Sequence, residues 1–340
     1  MSSFVISKSK LFYNLNLLKK HINTQIACVI KDNAYGHGID EISSLLVEFG
    51  IKSVFVKNNL EARKIKNKFE HITILYPSVF ENISDNIYLS VPNIDCISKI
   101  PPNTGIELKV NTGMNRNGIE LDEIQNALLL IKQHKIRLIG VFTHNGYGDL
   151  DNENLSEAFI SQQKKYQILK ARVLELTNKY NIPNPRFHSL SSSGAIKCKN
   201  IDDDLVRIGI AMYGYLGIDD RLGLKPIAEL WADKISSRFL ESGSKIGYDG
   251  KYILKNDCIV SSYDIGYGDG LFRLNENHGE LRTKEGYLVL PRMSMDSTSI
   301  ISDKNRVCIM YNADEMARIF GSIAYEVLCK ISPNIKREIV

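Results

Sequence analysis

Lysine residues follow two short apolar runs of the sequence, and a polar loop with glycines comes after each. Lys31 ends the run in IACVIKDNAYGHG (residues 26–38), and Lys109 lies in ELKVNTGMNRNG (residues 107–118). A lysine partly withdrawn from water has a lowered pKa, and its neutral amine can attack an aldehyde. Taken alone, either lysine could equally be a solvated residue at a strand end. The pattern indicates amine chemistry only if the surrounding residues support it.

Other polar residues with catalytic or binding potential follow further apolar runs. His144 lies in VFTHNGYGD, and Arg207 lies in VRIGIAMYG. Ser192 belongs to the serine-rich segment HSLSSSG, where a hydroxyl and the amides at the start of a following helix would suit a phosphate group. A lone histidine or a serine-rich loop is often structural. These residues therefore indicate a functional site only when they are taken together.

The strands that must position these residues follow from the hydrophobic pattern. Eight short apolar runs are typical of strands, at 26–30, 53–56, 72–75, 87–91, 106–110, 138–143, 186–190 and 205–208. Helical segments at 40–49, 121–134 and 155–180 lie between several of them. This alternation predicts an α/β fold with an N-terminal (β/α)8 barrel of the TIM type, with an open doubly wound sheet as the alternative. In a barrel, Lys31 would lie at the C-terminal end of a strand, where catalytic residues are found.

After about residue 230 the sequence changes character, because helical periodicity nearly disappears. Short apolar runs at 231–239, 252–254, 258–263, 287–290 and 297–301 are separated by Gly and Asp, which is typical of a mostly-β domain. We therefore predict two domains, a barrel at residues 1–222 and a C-terminal β-domain at residues 223–340. The β-domain contains the segment IGYGDG. Its glycines lack the G-x-G-x-x-G spacing of a dinucleotide site.

Several segments resemble one enzyme family. Residues 29–38, VIKDNAYGHG, resemble the signature V-x-K-A-x-A-Y-G-H-G of the alanine racemases, whose lysine binds pyridoxal 5′-phosphate (PLP). Residues 206–214 resemble the family motif V-R-x-G-I-A-x-Y-G. The segments around Lys109, His144, Ser192, Tyr267 and Met295 are similar to further motifs of the family, in the same order. The resemblance covers nearly the whole chain and implies a PLP-dependent racemase of the barrel type.

The resemblance also implies a role for each matching residue. The two catalytic bases would be Lys31 and Tyr267. The cofactor would be bound by Lys31, Tyr35, His144, Ser192, Arg207, Gly209 and Ile210. The substrate would be bound by Arg116, Met295 and Asp296. Lys109 corresponds to a lysine that is often carbamylated in the family, and no metal is expected.

Arg207 bears on the type of reaction. In the family, the corresponding arginine donates to the pyridine nitrogen of the cofactor. Arginine is effectively never deprotonated, so this nitrogen stays unprotonated. The ring is then a poorer electron sink, which suppresses side reactions of the carbanion and still permits exchange of the α-proton. A decarboxylase or an aminotransferase more often places a carboxylate there, so Arg207 favours racemisation.

The two expected bases lie in different predicted domains. A racemase needs one base on each face of a planar carbanion, and Lys31 lies on the barrel whereas Tyr267 lies on the β-domain. Family members bring these residues together across a head-to-tail homodimer, so we expect Tyr267 to act on the cofactor of a partner subunit. The resemblance implies L-alanine as substrate and D-alanine for peptidoglycan as product.

Some residues depart from the family patterns. The departures are Asp32, Asn111, Ser191, Pro291 and Pro333. Pro333 stands where the family motif generally has a tyrosine, which lies near the phosphate and the entrance of the site. Proline has no side-chain donor, so the substrate range stays open at this point.

Composition excludes several other classes of protein. The formal net charge of +4 is small and spread along the chain, so no nucleic-acid partner is predicted. No apolar run approaches the roughly 18 residues that span a bilayer, and the first residues do not resemble a signal peptide. The six cysteines are scattered without a C-x-x-C pair, which favours a reducing compartment. We expect a cytoplasmic protein with a small-molecule substrate and no membrane partner.

Three other functions stay open from the sequence. A serine or broader-range amino-acid racemase differs from an alanine racemase only in substrate. A barrel-type PLP decarboxylase is disfavoured by Tyr267 and Arg207. A non-catalytic PLP carrier consists of the barrel alone, whereas this chain has a β-domain.

Overall fold

The computed structural model describes residues 1–148, 155–198, 200–216 and 222–340. A short strand, β1 (Ser3–Ile6), opens the chain. The next eight strands are β2 (Gln25–Val29), β3 (Ser53–Val56), β4 (His71–Ile74), β5 (Ile87–Val91), β6 (Gly105–Lys109), β7 (Arg137–Phe142), β8 (Arg186–His188) and β9 (Leu205–Ile208). These eight are parallel and form one sheet in the order β8-β7-β6-β5-β4-β3-β2-β9.

This sheet curls into a nearly closed barrel. The first and last strands of the order, β8 and β9, are joined by backbone hydrogen bonds from Asp204 to Phe187 (2.9 Å) and from Arg207 to Leu190 (3.1 Å). All residues of β3, β5, β6 and β9 are buried, as expected for parallel strands covered on both faces. The predicted barrel is therefore confirmed, and the open doubly wound sheet is wrong. Each predicted strand lies within two residues of an observed one.

Helices connect the barrel strands and cover their outer face. Their bounds are Lys8–His21, Ile39–Phe49, Asn59–Ile65, Ile124–Gln133, Glu157–Tyr180 and Ser192–Lys197. The first of these helices begins after Ser7, whose hydroxyl accepts a hydrogen bond from the Lys10 amide. Among the described residues, the structure contains no helix that is long and apolar enough to cross a membrane.

The second part of the chain is mostly β. Its strands are β10 (Ala228–Leu240), β11 (Lys245–Ile246), β12 (Tyr252–Ile253), β13 (Cys258–Tyr263), β14 (Leu281–Arg282), β15 (Leu288–Val289), β16 (Thr298–Ile301), β17 (Arg306–Met310) and β18 (Lys336–Ile339). Two helices, Ala313–Phe320 and Ala324–Lys330, lie before the last strand and were not predicted. The Asn312 side chain caps the first of them by accepting from the Asp314 amide at 2.9 Å.

The two ends of the chain meet in this second sheet. Strand β1 pairs antiparallel with β10 and parallel with β18, so residues 3–6 belong to the C-terminal sheet although they precede the barrel. Phe4 and Ile6 are fully buried there. The predicted division of the chain at residues 222 and 223 stays a prediction. The C-terminal strands thus hold the start of the chain close to the barrel.

Candidate active site

The C-terminal ends of the barrel strands surround a cavity of about 330 Å³. Nine of the predicted site residues line it: Lys31, Tyr35, Lys109, Arg116, His144, Ser192, Arg207, Gly209 and Ile210. They come from the ends of different strands and from the segments that follow them, which explains how residues far apart in sequence converge. Such a convergence at this end of a barrel is the usual arrangement of an active site.

Lys31 begins a turn with an unusual backbone. Asp32, Asn33 and Ala34 have φ values of 54°, 53° and 55°, and their ψ values of 55°, 46° and 50° place them in the left-handed helical region. Tyr35 follows with φ of 52°. Residues other than glycine lose roughly 1–2 kcal/mol each in this conformation. A strained backbone that is held by its surroundings is typical of functional sites.

Side chains from neighbouring segments hold this turn in place. The Asn33 amide donates to Glu61 Oε1 at 2.9 Å, and the Asn33 side chain accepts from the Ile39 amide at 2.9 Å. Gly36 ends the turn with φ of 78°, and a Cβ there would overlap the carbonyl of Leu328. The turn therefore sets the directions in which the side chains of Lys31 and Tyr35 leave the backbone.

Tyr35 and the loops after β8 and β9 form a cradle on one side of the cavity. A Cβ added to Gly209 would lie 2.5 Å from the Tyr35 hydroxyl oxygen, so this glycine gives the phenol its place. The Gly209 amide donates to Ser192 Oγ at 3.1 Å, which leaves the serine proton to donate elsewhere. Burial raises the pKa of Tyr35, and the nearby Tyr325 adds to the shift. The phenol is therefore neutral and can donate a hydrogen bond to an anion.

Arg207 extends from β9 into the cavity, and its guanidinium is hydrogen-bonded to residues of the barrel. One guanidinium nitrogen, Nη2, donates to the carbonyls of Thr143 (2.8 Å) and Ser189 (3.1 Å) and lies 3.5 Å from His144 Nδ1. The other, Nη1, donates to His188 Nδ1. Burial lowers the pKa of Arg207 only to about 10, so the group stays positively charged at neutral pH.

Positive charge dominates the cavity. Among its described lining residues, Lys31, Lys109, Arg116 and Arg207 carry cationic groups and none is a carboxylate. Burial, reinforced by the Arg116 and Arg207 charges, lowers the pKa of Lys109 to about 7, and its Nζ donates to the Asn117 side chain. Burial and the Arg207 charge also hold the pKa of His144 well below its usual range. The cavity suits an anionic ligand.

Three predicted residues lie together outside the cavity. Tyr267 begins a short turn in which its amide donates to the Ser294 carbonyl (3.2 Å), and the next amide, that of Gly268, donates to the Met295 carbonyl (2.8 Å). Asp296 follows directly. Tyr267 and Met295 are 36% and 53% exposed, and none of the three predicted residues is among the described residues that line the cavity. This loop is available to a partner.

Part of the cavity wall was not predicted from the sequence. The cavity is also lined by Ile323, just before the helix Ala324–Lys330, and by Tyr325 within that helix. Leu75 and Tyr76 after β4 line it as well. The ring of Tyr325 lies 5.9 Å from that of Tyr35. Pro333 is not among the described residues that line the cavity, whereas Tyr325 is. Nothing in the residues around Tyr325 marks it as part of a site.

The residues of the cavity fit PLP. The Tyr35 and Ser192 hydroxyls beside Gly209 form a cradle for a phosphate, the Arg207 guanidinium can donate to a ring nitrogen, and Lys31 offers an amine for an aldehyde. Each donor matches an acceptor of the cofactor by type. The Arg116 guanidinium remains for a carboxylate.

Comparison with known proteins shows similarity to alanine racemases over nearly the whole chain. Residues 6–217 match the family model "Alanine racemase, N-terminal domain" and residues 227–339 match "Alanine racemase, C-terminal domain". The chain is 38% identical to the alanine racemase of Campylobacter concisus (strain 13826) over 342 residues, which covers 100% of both chains.

Solved structures share this fold. The alanine racemase of Clostridium difficile 630 superimposes with a TM-score of 0.90 at 26% identity, covering 100% of this chain and 95% of that one. An alanine racemase from Bartonella henselae, described with covalently bound pyridoxal phosphate, superimposes with a TM-score of 0.81 at 22% identity. That comparison covers 100% of this chain and 99% of that one.

Proposed function

The chain belongs to the alanine racemase family, and from this premise we propose that Lys31 and Tyr267 are the two bases that interconvert L- and D-alanine. The enzyme is a racemase of alanine. The observation that carries the assignment of residues is the cavity itself, in which Lys31 lies with Arg116, Arg207 and the cradle of Tyr35 and Gly209.

PLP is the cofactor that we propose for this site. The residues that would hold it are Lys31, Tyr35, His144, Ser192, Arg207, Gly209 and Ile210. When bound, PLP withdraws electrons from the α-carbon of an amino acid and so makes the α-proton acidic. The strained turn directs the Lys31 amine, and the neutral Tyr35 phenol would donate to the phosphate of the cofactor.

The chain's own side chains then handle the substrate and the proton. Arg116 binds the substrate carboxylate, for which its planar fork of donors is suited. Lys31 Nζ removes or returns the α-proton on one face, and Tyr267 Oη does so on the other. Arg207 would donate to the ring nitrogen of the cofactor and so keep it unprotonated, because a guanidinium only donates hydrogen bonds.

Tyr267 belongs, in this proposal, to a site shared between two subunits. Within one chain it lies outside the cavity of Lys31, on an exposed loop with Met295 and Asp296. A head-to-tail homodimer would bring this loop to the cavity of the partner. We propose a cytoplasmic enzyme whose D-alanine supplies peptidoglycan, with six free cysteines as in a reducing compartment.

The experiment that tests this function follows exchange of the α-proton in deuterium oxide by NMR. PLP-loaded wild type is compared with Lys31→Ala and Tyr267→Phe on L- and D-alanine. We expect exchange with inversion from both enantiomers, abolished by Lys31→Ala and strongly reduced by Tyr267→Phe. Exchange with serine but not with alanine would show that the substrate is serine and not alanine. Release of carbon dioxide without inversion would replace the racemase by a decarboxylase.

A further inference from the structure

A chain of buried polar side chains runs through the barrel interior beneath Arg207. Glu107 on β6 and His188 on β8 are both fully buried, although neither lines the cavity. Barrel interiors are normally filled by branched aliphatic side chains. A buried ion pair is often no more stabilising than well-packed apolar residues of the same volume. Stability alone therefore gives no reason for a carboxylate at this place.

The hydrogen bonds that link Arg207, His188 and Glu107 have only one possible direction. The Arg207 guanidinium can only donate, so His188 Nδ1 must accept from it. The imidazole proton then lies on Nε2, which donates to Glu107 Oε2 at 3.0 Å. Burial lowers the pKa of His188 to about 4, in agreement with this neutral tautomer. Glu107 thus fixes which nitrogen of His188 faces Arg207.

The other carboxylate oxygen of Glu107 is also satisfied. Arg186 donates to Oε1 through Nε at 2.9 Å and through Nη2, and Thr73 donates to it at 3.2 Å. The Arg186 side chain is 16% exposed, so this row of polar side chains reaches close to solvent at Arg186. Burial by itself would raise the pKa of Glu107, but the Arg186 charge, together with His188, lowers it to about 2. The carboxylate is therefore charged.

The surrounding residues are shaped to hold this arrangement. A Cβ on Gly140 of β7 would lie 3.1 Å from Glu107 Cδ and 3.3 Å from Arg186 Cγ, so the glycine makes room for the pair. Phe142 stacks on the His188 ring with centroids 4.9 Å apart and planes at 13°. The imidazole is thereby held in one plane between its two partners.

We propose that Glu107 is a positioning residue of the active site, which acts through His188 to hold the Arg207 guanidinium and to offset its charge. This inference rests on the assignment of Arg207 to the cofactor nitrogen under the proposed function. Arg186 keeps Glu107 charged but has no part in holding Arg207. Arg186 and Glu107 should therefore differ in their effect on the site.

The test uses the full-length protein and three readouts: the visible absorbance spectrum of bound PLP, the Kd of PLP for the apoprotein, and kcat and KM for alanine. Glu107→Gln keeps the shape but removes the charge. Glu107→Leu combined with Arg186→Met removes both charges and leaves neither of them buried without its partner. This double variant replaces the single variant if the latter folds poorly. Arg186→Met alone leaves the hydrogen bond between Glu107 and His188. Thr73→Val is the control that removes the hydrogen bonds of the Thr73 hydroxyl with Glu107 (3.2 Å) and Arg186 (3.3 Å) and leaves both charges in place. Thermal unfolding is recorded for each variant.

We expect both Glu107 variants to change the absorbance spectrum, to weaken PLP binding and to lower kcat on the order of tenfold at unchanged KM, as outer partners of a functional ligand commonly do. Arg186→Met should change the spectrum less than the Glu107 variants, because it weakens the Glu107 charge but keeps the hydrogen bond from His188. Thr73→Val should keep the wild-type spectrum. The inference is overturned if the folded double variant has the spectrum, Kd and kcat of the wild type. Arg207→Lys separates the two assignments. If it leaves the spectrum unchanged, the assignment of Arg207 itself fails, and with it this inference.

Discussion

Arg337 donates a hydrogen bond of 2.7 Å to the carbonyl oxygen of Gly36, a residue 301 positions earlier in the chain. Its guanidinium also donates to the carbonyls of Ser332 (2.7 Å) and Ile335 (2.5 Å). The end of the strained turn that starts at Lys31 is therefore tied to the last segment of the chain. Strand β18 thus helps to hold the turn that starts at Lys31, although it lies at the other end of the sequence.

Replacing Arg337 by methionine should loosen this turn. The variant keeps the apolar stem and loses the charged donors, and hydrogen bonds to charged groups contribute about 1.5–3 kcal/mol each. We expect a loss of about 2 kcal/mol in the free energy of unfolding and weaker binding of PLP, measured by urea unfolding and by cofactor titration. Arg282→Met, on the exposed side chain that pairs with Glu280, is the control. Equal stability and PLP affinity in the two variants would show that Arg337 does not hold the turn.

Much of the barrel and its site could be predicted because the signals are local. Buried parallel strands leave continuous apolar runs, and the motifs at Lys31 and Arg207 lie directly at the ends of such runs. A short motif specifies a local backbone and its side chains together. Nine predicted residues therefore line one cavity.

The parts that were not predicted depend on contacts between distant segments. Strand β1 lies in the C-terminal sheet because it pairs with β10 and β18, and four residues carry no sign of such partners. Tyr325 reaches the cavity through the packing of its helix against the lysine turn, whereas the sequence pattern pointed to Pro333. Glu107 lies in a predicted apolar run, and its neighbours in sequence carry no sign of its polar partners. Its role emerges only with Arg186 and His188 beside it.

Gly209→Ala should impair the phosphate cradle. The added methyl group would lie 2.5 Å from the Tyr35 hydroxyl oxygen, so the phenol must move away from its place. We expect PLP affinity to fall at least about tenfold, which corresponds to about 1.4 kcal/mol of binding free energy. Equilibrium titration of the apoprotein measures the effect. Gly279→Ala, where a Cβ meets no atom within 4 Å, should bind PLP as the wild type does.

A double variant identifies the cause of that loss. In Tyr35→Phe the hydroxyl is absent, so adding Gly209→Ala should weaken PLP binding further by much less than it does in the wild type. Fully additive losses would mean that the methyl group acts on the cofactor directly and that Tyr35 is not part of the cradle. The coupling between neighbouring residues is what such a cycle isolates.

Mixing two inactive variants should restore activity if the site is shared between subunits. In a mixed dimer of Lys31→Ala and Tyr267→Phe, one of the two sites combines an intact Lys31 with an intact Tyr267 from the partner. We expect racemisation to return after the variants are unfolded together and refolded, and not after each is refolded alone. Activity that stays at the level of the separate variants, while mixed dimers are present by native mass spectrometry, would place both bases in one subunit.

Lys109 should become carbamylated in a pH-dependent manner. Burial and the charges of Arg116, Arg207 and Lys31 lower the pKa of Lys109 to about 7, so its neutral amine is well populated at neutral pH, whereas an ordinary lysine is almost fully protonated. The neutral Nζ attacks the carbon of carbon dioxide, forms the N–C bond and releases one proton. The resulting anion is stabilised by the neighbouring Arg116 and Arg207 guanidinium groups.

The sign of the pH dependence follows from this protonation. At a fixed pressure of ¹³C-labelled carbon dioxide, the carbamate signal in ¹³C NMR should be weak at pH 5, where Lys109 is protonated, and should rise as the pH passes about 7. Lys109→Arg should give no such signal, and Lys57→Arg, on an exposed lysine that pairs with Asp32, should leave it unchanged. A signal of wild-type strength in Lys109→Arg would assign the carbamate to another lysine. No signal at any pH in the wild type would mean that the free ammonium or amine of Lys109, bonded to Asn117, is the form that faces Arg116.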